Sequence, residues 1–272
     1  FIVSLLLGLL IPFSLIYLFE LFDDKVRSKN DIEKLTNAKP VIGEIPQIDK
    51  NTDELVKIND NSPLAESFRI LITNMNFMIP KKKGKVIMVT SSVKGEGKTF
   101  VSVNLALTIA TPSKKSIIIG ADIRNPQLQR YNTERKGALG LTEYLHEDNK
   151  DVDSLIHKSN INPNLDVIYS GSIPPNPTDL LSNGKLEILV NQLAQNYEYI
   201  IIDTAPLMLV TDSLLISELA DVTLYVVRSR YTEKELINFA NKTVESNKIK
   251  NVAFVLNDVS SDYFGYGNKY GY

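Results

Sequence analysis

Lys98 with its neighbour Thr99, Asp122 and Asp203 are the side chains whose types could together grip a polyphosphate and a divalent cation. A nucleoside triphosphate carrying Mg²⁺ needs a cationic cradle, a hydroxyl on the metal and carboxylates around it. Lys98 would meet the β- and γ-phosphates, and the Thr99 hydroxyl would ligate the metal. Asp122 and Asp203 would complete the metal site and handle the proton of an acceptor group. Taken singly, either aspartate reads equally well as a strand-end helix cap. The case rests on their coming together.

The elements that must bring them together are legible around Val86–Thr99. The apolar run Val86-Ile87-Met88-Val89 reads as a buried strand, and Phe100 opens an apolar helical pattern to Thr111. Between them lie Ser92, Val93, Lys94, Gly95, Glu96 and Gly97, small enough in part to let backbone N–H groups converge on phosphate. The following helix then offers its positive end to the same anion. Ser92 stands where the strict G-x-x-x-x-G-K-[ST] pattern has its first glycine. Further apolar strands are expected at Ser116–Gly120, Asp166–Tyr169, Tyr199–Ile202, Thr223–Val227 and Val252–Leu256. Helices are expected between them: short ones at Thr142–Tyr144 and Asp151–His157, then Thr178 to Asn196, Asp212–Leu219 and Glu233–Ser246. Continuous apolar strands alternating with amphipathic helices predict an α/β fold, a mostly parallel sheet covered on both faces. Ligands on such sheets sit beyond the strand C-terminal ends, where Lys98, Asp122 and Asp203 would all emerge.

The remaining sequence bounds the function. A net charge of −2 gives no global pull towards nucleic acid. The absence of cysteine excludes disulfides and thiolate metal sites, and the two histidines, His146 and His157, are expected on solvated surfaces. Phe1 to Phe19 carries no charge and as a helix would extend about 28 Å, close to one hydrocarbon core. Residues 1–22 are therefore read as a transmembrane helix, preceding the sheet domain. The chain opens on Phe1 rather than Met, so a fragment of a longer protein is expected. Residues 23–63 are expected to be a cytoplasmic connector, with Ser62-Pro63 starting a helix that carries Leu64, Phe68, Leu71 and Met75 on one face. Lys81, Lys82, Lys83 and Lys85 read as a solvated turn, with lipid headgroups as the other possibility. The sheet domain spans 64–258. Residues 259–272 place Tyr263, Tyr266, Tyr270 and Tyr272 among glycines without apolar periodicity, a mobile tail by composition.

These motifs resemble the bacterial tyrosine kinases, cytoplasmic domains of polysaccharide co-polymerases that control capsule and exopolysaccharide chain length. The family's Walker A motif matches at Ser91–Thr99, and its Walker B motif, an apolar run followed by D-[ST]-x-P, at Tyr199–Pro206. Its second acidic motif, D-x-D-x-R, matches at Asp122 and Arg124, with Gly120 in place of the first aspartate. The G-x-x-P-P-N-P-x-[ED]-L-L segment matches at Gly171–Leu181. The helical E-x-x-R-x-x-R-x-N motif, tied in the family to ring assembly, keeps Glu66, Arg69 and Asn74 but has Ile72 for the second arginine.

The resemblance covers essentially the whole chain. It implies a P-loop NTPase fold, ATP and Mg²⁺ as cofactors, and a nucleotide site of residues 92–100 with Arg124; Asn257, past the last strand, is a candidate for the base. It further implies phosphorylation of the tail tyrosines in trans within a homo-oligomeric ring at the bacterial inner membrane, with everything after about residue 22 cytoplasmic. The implied partners are polysaccharide polymerase and export machinery and a protein-tyrosine phosphatase, with no nucleic acid. Two alternatives stand beside it: a nucleotide-switched co-polymerase subunit, and an ATPase of the partition or septum-positioning type. The latter carries a lysine five residues before the loop lysine, where this chain has Val93.

Overall fold

The computed structural model describes residues 23–37, 39–49, 53–132, 137–147, 151–208 and 211–260, with residues 8, 10 and 12–14. The expected membrane span at 1–22 lies almost wholly outside this set, as do the four tail tyrosines. Among the described residues no helix is long and apolar enough to cross a membrane.

Eight strands form one sheet. In chain order they are β1 (Val41–Pro46), β2 (Lys85–Ser91), β3 (Ser116–Gly120), β4 (His157–Lys158), β5 (Leu165–Ile168), β6 (Tyr199–Asp203), β7 (Val222–Arg228) and β8 (Val252–Val259). Their spatial order is β1-β8-β7-β2-β6-β3-β5-β4. Every pairing is parallel except β4 on β5. The phosphate-loop strand β2 sits centrally, between β7 and β6, and β3 lies on the far side of β6.

The strand alternation sorts side chains into two layers. Ile87, Val89, Ile118 and Ile201 face one layer with α2 (Pro63–Asn76) and α3 (Lys98–Ile109). Val86, Met88, Ile117, Ile119, Ile200 and Ile202 face the other, with α4 (Leu141–His146), α6 (Lys185–Leu193) and α7 (Asp212–Ser217). A third cluster covers the β1–β8–β7 end of the sheet, where Ile32 of α1 (Lys29–Leu35) and Ile237 of α8 (Lys234–Glu245) pack near Tyr225 and Phe254. Helix α2 begins at the expected signal: the Ser62 hydroxyl accepts from Ala65 N–H, and Pro63 takes the first turn. Its predicted apolar face, Leu64, Phe68, Leu71 and Met75, is buried.

Several expectations are corrected. The connector is no connector: its first half folds as α1 and β1, and Val26, Ile32 and Ile45 are fully buried. Strand β1, an edge strand that tolerates Pro46, adds in parallel to β8. The single helix expected from Thr178 is two, α5 (Pro177–Leu181) and α6. Gly184 at φ 80° breaks them, and Asn183 holds the break by accepting from Lys185 N–H and donating to the Leu145 carbonyl. Asp151–His157 is a single 3-10 turn at Asp153–Leu155 followed by β4. His157 is half-buried against the Tyr169 ring rather than solvated. Lys81, Lys82 and Lys83 are exposed, as expected for a turn, and Lys85 begins β2.

Candidate functional site

The loop 92–97 leaves β2 and becomes α3 at Lys98, with Gly97 as the cap residue at φ 95° and no side-chain cap. A Cβ at 97 would lie 2.1 Å from Asn257 Nδ2, so the backbone conformation and the space both demand glycine. Ser92 does not have a positive φ, which explains why the missing first glycine leaves the loop intact. Its hydroxyl instead meets the Tyr225 hydroxyl at 2.8 Å in the core.

The two aspartates are placed by strand register. Gly120 pairs with Asp203 across β3 and β6, and the N–H groups of Ala121 and Asp122 both donate to the Asp203 carbonyl, at 2.8 and 3.1 Å. Asp122 thus turns back towards α3. Its Oδ2 accepts from Lys98 Nζ at 3.0 Å, and Oδ1 accepts from Asn125 N–H at 3.0 Å. Asp203 lies deeper and accepts from the Ser102 hydroxyl at 3.1 Å. Burial opposes the Lys98 charge, but Asp203 and Asp122 outweigh it and hold the ammonium above its ordinary pKa. Burial pushes the Asp203 carboxyl up, against the pull of Lys98. Lys98, Thr99, Asp122 and Asp203, spread over 106 positions of sequence, are together at the strand exits.

Lys98, Thr99 and Asp122 line a cavity of about 410 Å³, and Asp203 is buried behind them. Among the described residues five cations line it, Lys94, Lys98, Arg124, Arg130 and Arg228, against one carboxylate, Asp122. Such a lining fits a polyanion. The backbone fits one too. Among the described residues no acceptor takes the N–H groups of Gly95, Glu96 or Gly97, and the first turn of an uncapped helix follows. A hard cation would be held by Thr99 and a carboxylate with phosphate oxygens and water, since no group of three or more His, Cys, Asp or Glu is available among the described residues. Phe100 also lines the cavity and meets the Phe68 ring edge-on.

A scan of family models matches an AAA domain over residues 84–254. The chain is 34% identical over 212 residues to the tyrosine-protein kinase CpsD of Streptococcus agalactiae serotype Ia, covering 78% of this chain and 90% of that one. The chain belongs to the bacterial tyrosine kinases. It is 31% identical over 218 residues to the tyrosine-protein kinase ptk of Acinetobacter johnsonii, covering 80% of this chain but only 29% of that longer relative. The kinase domain of the Escherichia coli tyrosine kinase ETK superposes with a TM-score of 0.76 at 25% identity, over 91% of this chain and 100% of that one. A mostly parallel P-loop fold and membership of the tyrosine-kinase enzymes are thereby shown.

Other predicted site residues of this kinase domain lie as follows. Arg124 reaches the cavity mouth already paired: its Nε and Nη2 donate to the buried Asp212 at 2.6 and 3.2 Å, and Nη2 to the Thr178 hydroxyl at 2.8 Å. That bond to Asp212 raises the guanidinium pKa further. Asn257 lies within β8 rather than past it and does not line the cavity; its amide donates to the Glu96 carbonyl at 3.0 Å. Gly120 does not line the cavity, and its fit is so tight that an added Cβ would come 2.7 Å from Ser170 Oγ. On α2, Glu66 is exposed and pairs with Arg69 at 3.0 Å. Asn74 does not join them as an open surface group, because its amide donates to the Ile42 carbonyl of β1 at 2.8 Å.

Sequence reasoning missed Ser102, Asp212, Arg228, Tyr231 and Thr232. Arg228 had a signal, since it closes an apolar strand as Asp203 does. Thr178 lay inside a matched motif. The others contact the site only through tertiary folding.

Proposed function

We propose that this domain, anchored at the bacterial plasma membrane by the segment before residue 23, transfers the γ-phosphoryl group of ATP to tyrosines of its own C-terminal segment. The acceptors Tyr263, Tyr266, Tyr270 and Tyr272 would be presented by an adjacent copy in a ring, with Glu66 and Arg69 on the contacting helix. Through that reaction the protein would regulate exopolysaccharide chain length and export, in contact with the polymerase and under reversal by a phosphatase.

The observation that carries this reading is the Lys98–Asp122 pair, 3.0 Å apart, at the mouth of a cavity lined by cations. Lys98 supplies positive charge where the transferring group develops negative charge. Thr99 and Asp203 would hold Mg²⁺, which when bound would neutralise phosphate oxygens. Asp122 is the carboxylate open to the cavity, and it accepts the phenol proton as the tyrosine oxygen bonds to the γ-phosphorus. The bond from that phosphorus to the bridging oxygen breaks, and ADP leaves. A glycine at 120 pressed against Ser170, where the family has an aspartate, favours a second reading in which nucleotide binding alone switches assembly.

Mass spectrometry of the C-terminal segment after incubation with Mg-ATP separates them. Phosphotyrosine on the tail, lost in Lys98→Met, supports transfer. Phosphate release without phosphotyrosine supports a nucleotide switch.

A further inference from the structure

Three consecutive carbonyls of the phosphate loop are each held by a side chain from the opposite end of the sequence. Tyr231 Oη donates to the Lys94 carbonyl at 2.9 Å, Arg228 Nη1 to that of Gly95 at 2.9 Å, and Asn257 Nδ2 to that of Glu96 at 3.0 Å. In a trans peptide the C=O and the next N–H are antiparallel. Carbonyls drawn towards this strip therefore leave the N–H groups of Gly95, Glu96 and Gly97 pointing away from it, and those N–H groups have no acceptor among the described residues. The Glu96 carboxylate ties the same loop down by accepting from Val93 N–H at 2.7 Å and from the Thr232 hydroxyl.

The strip itself carries a second mark. Arg230 and Asp258 are non-glycine residues in left-handed conformation, at φ 57° and 60°. Such strain persists only where surrounding structure over-determines it, and it concentrates at ligand clamps. Here Asp258 accepts from Arg228 Nε at 2.9 Å, fixing the guanidinium that reaches Gly95. The other edge of the strip is fixed as well: Arg230 N–H donates to the Val26 carbonyl at 2.7 Å, and Val26 N–H to that of Thr232 at 2.8 Å.

We propose that Arg228, Tyr231 and Asn257 are positioning residues for phosphate binding, an external template that turns three loop peptides so that their N–H groups are presented to the anion. The proposal rests on the nucleotide-binding reading and adds residues to it that the loop motif does not contain. Arg228 also lines the cavity and can touch the anion directly, whereas Tyr231 and Asn257 do not line it. Those two separate positioning from contact.

The test uses the whole chain and calorimetric affinities for Mg-ADP and for magnesium tripolyphosphate, which has no base. Tyr231→Phe removes one hydroxyl from a side chain that is 44% exposed and should weaken both ligands about 2- to 10-fold. Asn257→Ala should weaken both about 3- to 30-fold. Arg228→Lys, which keeps one donor, should retain more affinity than Arg228→Met. Melting of Tyr231→Phe without ligand should match the parent, because the lost bond orients the loop rather than the core. Wild-type-like affinities in both Tyr231→Phe and Asn257→Ala would overturn the template while leaving nucleotide binding intact. A loss for Mg-ADP but not for tripolyphosphate in Asn257→Ala would make that residue a base contact and overturn its positioning role. Failure of the parent protein to bind either ligand would remove the nucleotide reading itself, and the template with it.

Discussion

The two walls of the cavity are built by different means. The carboxylate wall is made by backbone: Asp203 ends β6, Gly120 pairs with it, and the next two residues fold over its carbonyl. The phosphate wall is made by side chains from far away. Arg228, Thr232, Tyr231 and Asn257 reach the loop across 133, 136, 137 and 161 residues of sequence. A wall set by register follows from the strands themselves. A wall set by long-range side chains is visible only once the chain has folded.

The largest expected effect is on the residue that joins the walls. Lys98 projects from the loop side and bonds Asp122 on the carboxylate side. Lys98→Met should lower tail phosphorylation by more than about 100-fold, read by anti-phosphotyrosine blotting, because electrostatic stabilisation of the transferring group is lost. Asp122→Ala should do the same. Wild-type labelling in either variant would separate the two walls functionally and sink the site assignment.

The register wall can be tested at Gly120. A side chain there would press on Ser170 Oγ and also approach Leu128 Cδ2, at 3.3 Å. Gly120→Asp should therefore destabilise the fold by about 1–3 kcal/mol, the usual range for overpacking, measured by urea unfolding. The change should be relieved in part by Ser170→Gly. No change in stability would mean that the segments carrying Ser170 and Leu128 yield more easily than a close-packed core does.

On the loop wall, Ser92→Gly restores the glycine of the strict motif, yet it should not improve nucleotide affinity, since Ser92 has no positive φ to relieve. It should cost about 1–3 kcal/mol of stability by leaving the buried Tyr225 hydroxyl without its partner. Tighter Mg-ADP binding in this variant would show that loop freedom, not the side-chain template, governs the site.

This contrast also explains what was readable in advance. The strands β2, β3 and β6 were legible because each is a continuous apolar run, and the acidic exits followed from them. Strand β1 was not legible: Val41-Ile42-Gly43-Glu44-Ile45-Pro46 is broken by glycine and proline and looks like a linker. It becomes a strand because β8 offers an unpaired edge and α2 covers it, with Asn74 holding the Ile42 carbonyl. Tyr231 and Thr232 were likewise silent, two polar residues in a turn after β7, as surface turns commonly are. Arg124 was legible as a cation but not as one tied to Asp212, a partner 88 residues away.

The smallest expected effect concerns the buried carboxylate of the loop itself. Glu96 is fully buried, and burial raises its pKa although Thr232 and the Val93 N–H pull it down. A carboxyl whose folded pKa exceeds its unfolded value of 4.5 binds more protons folded than unfolded, so its contribution falls as pH rises through the folded pKa. Glu96→Gln removes that titration and keeps the geometry: the amide oxygen can accept from Val93 N–H while the amide nitrogen donates to Thr232 Oγ1. The variant should therefore melt close to the parent at or below pH 4.5 and gain on it progressively above that pH. The sign is what discriminates. If the parent instead gains on Glu96→Gln as pH rises, the ionised carboxylate is stabilised by its donors more than burial opposes it, and the loop wall has an electrostatic anchor as well as a hydrogen-bonded template.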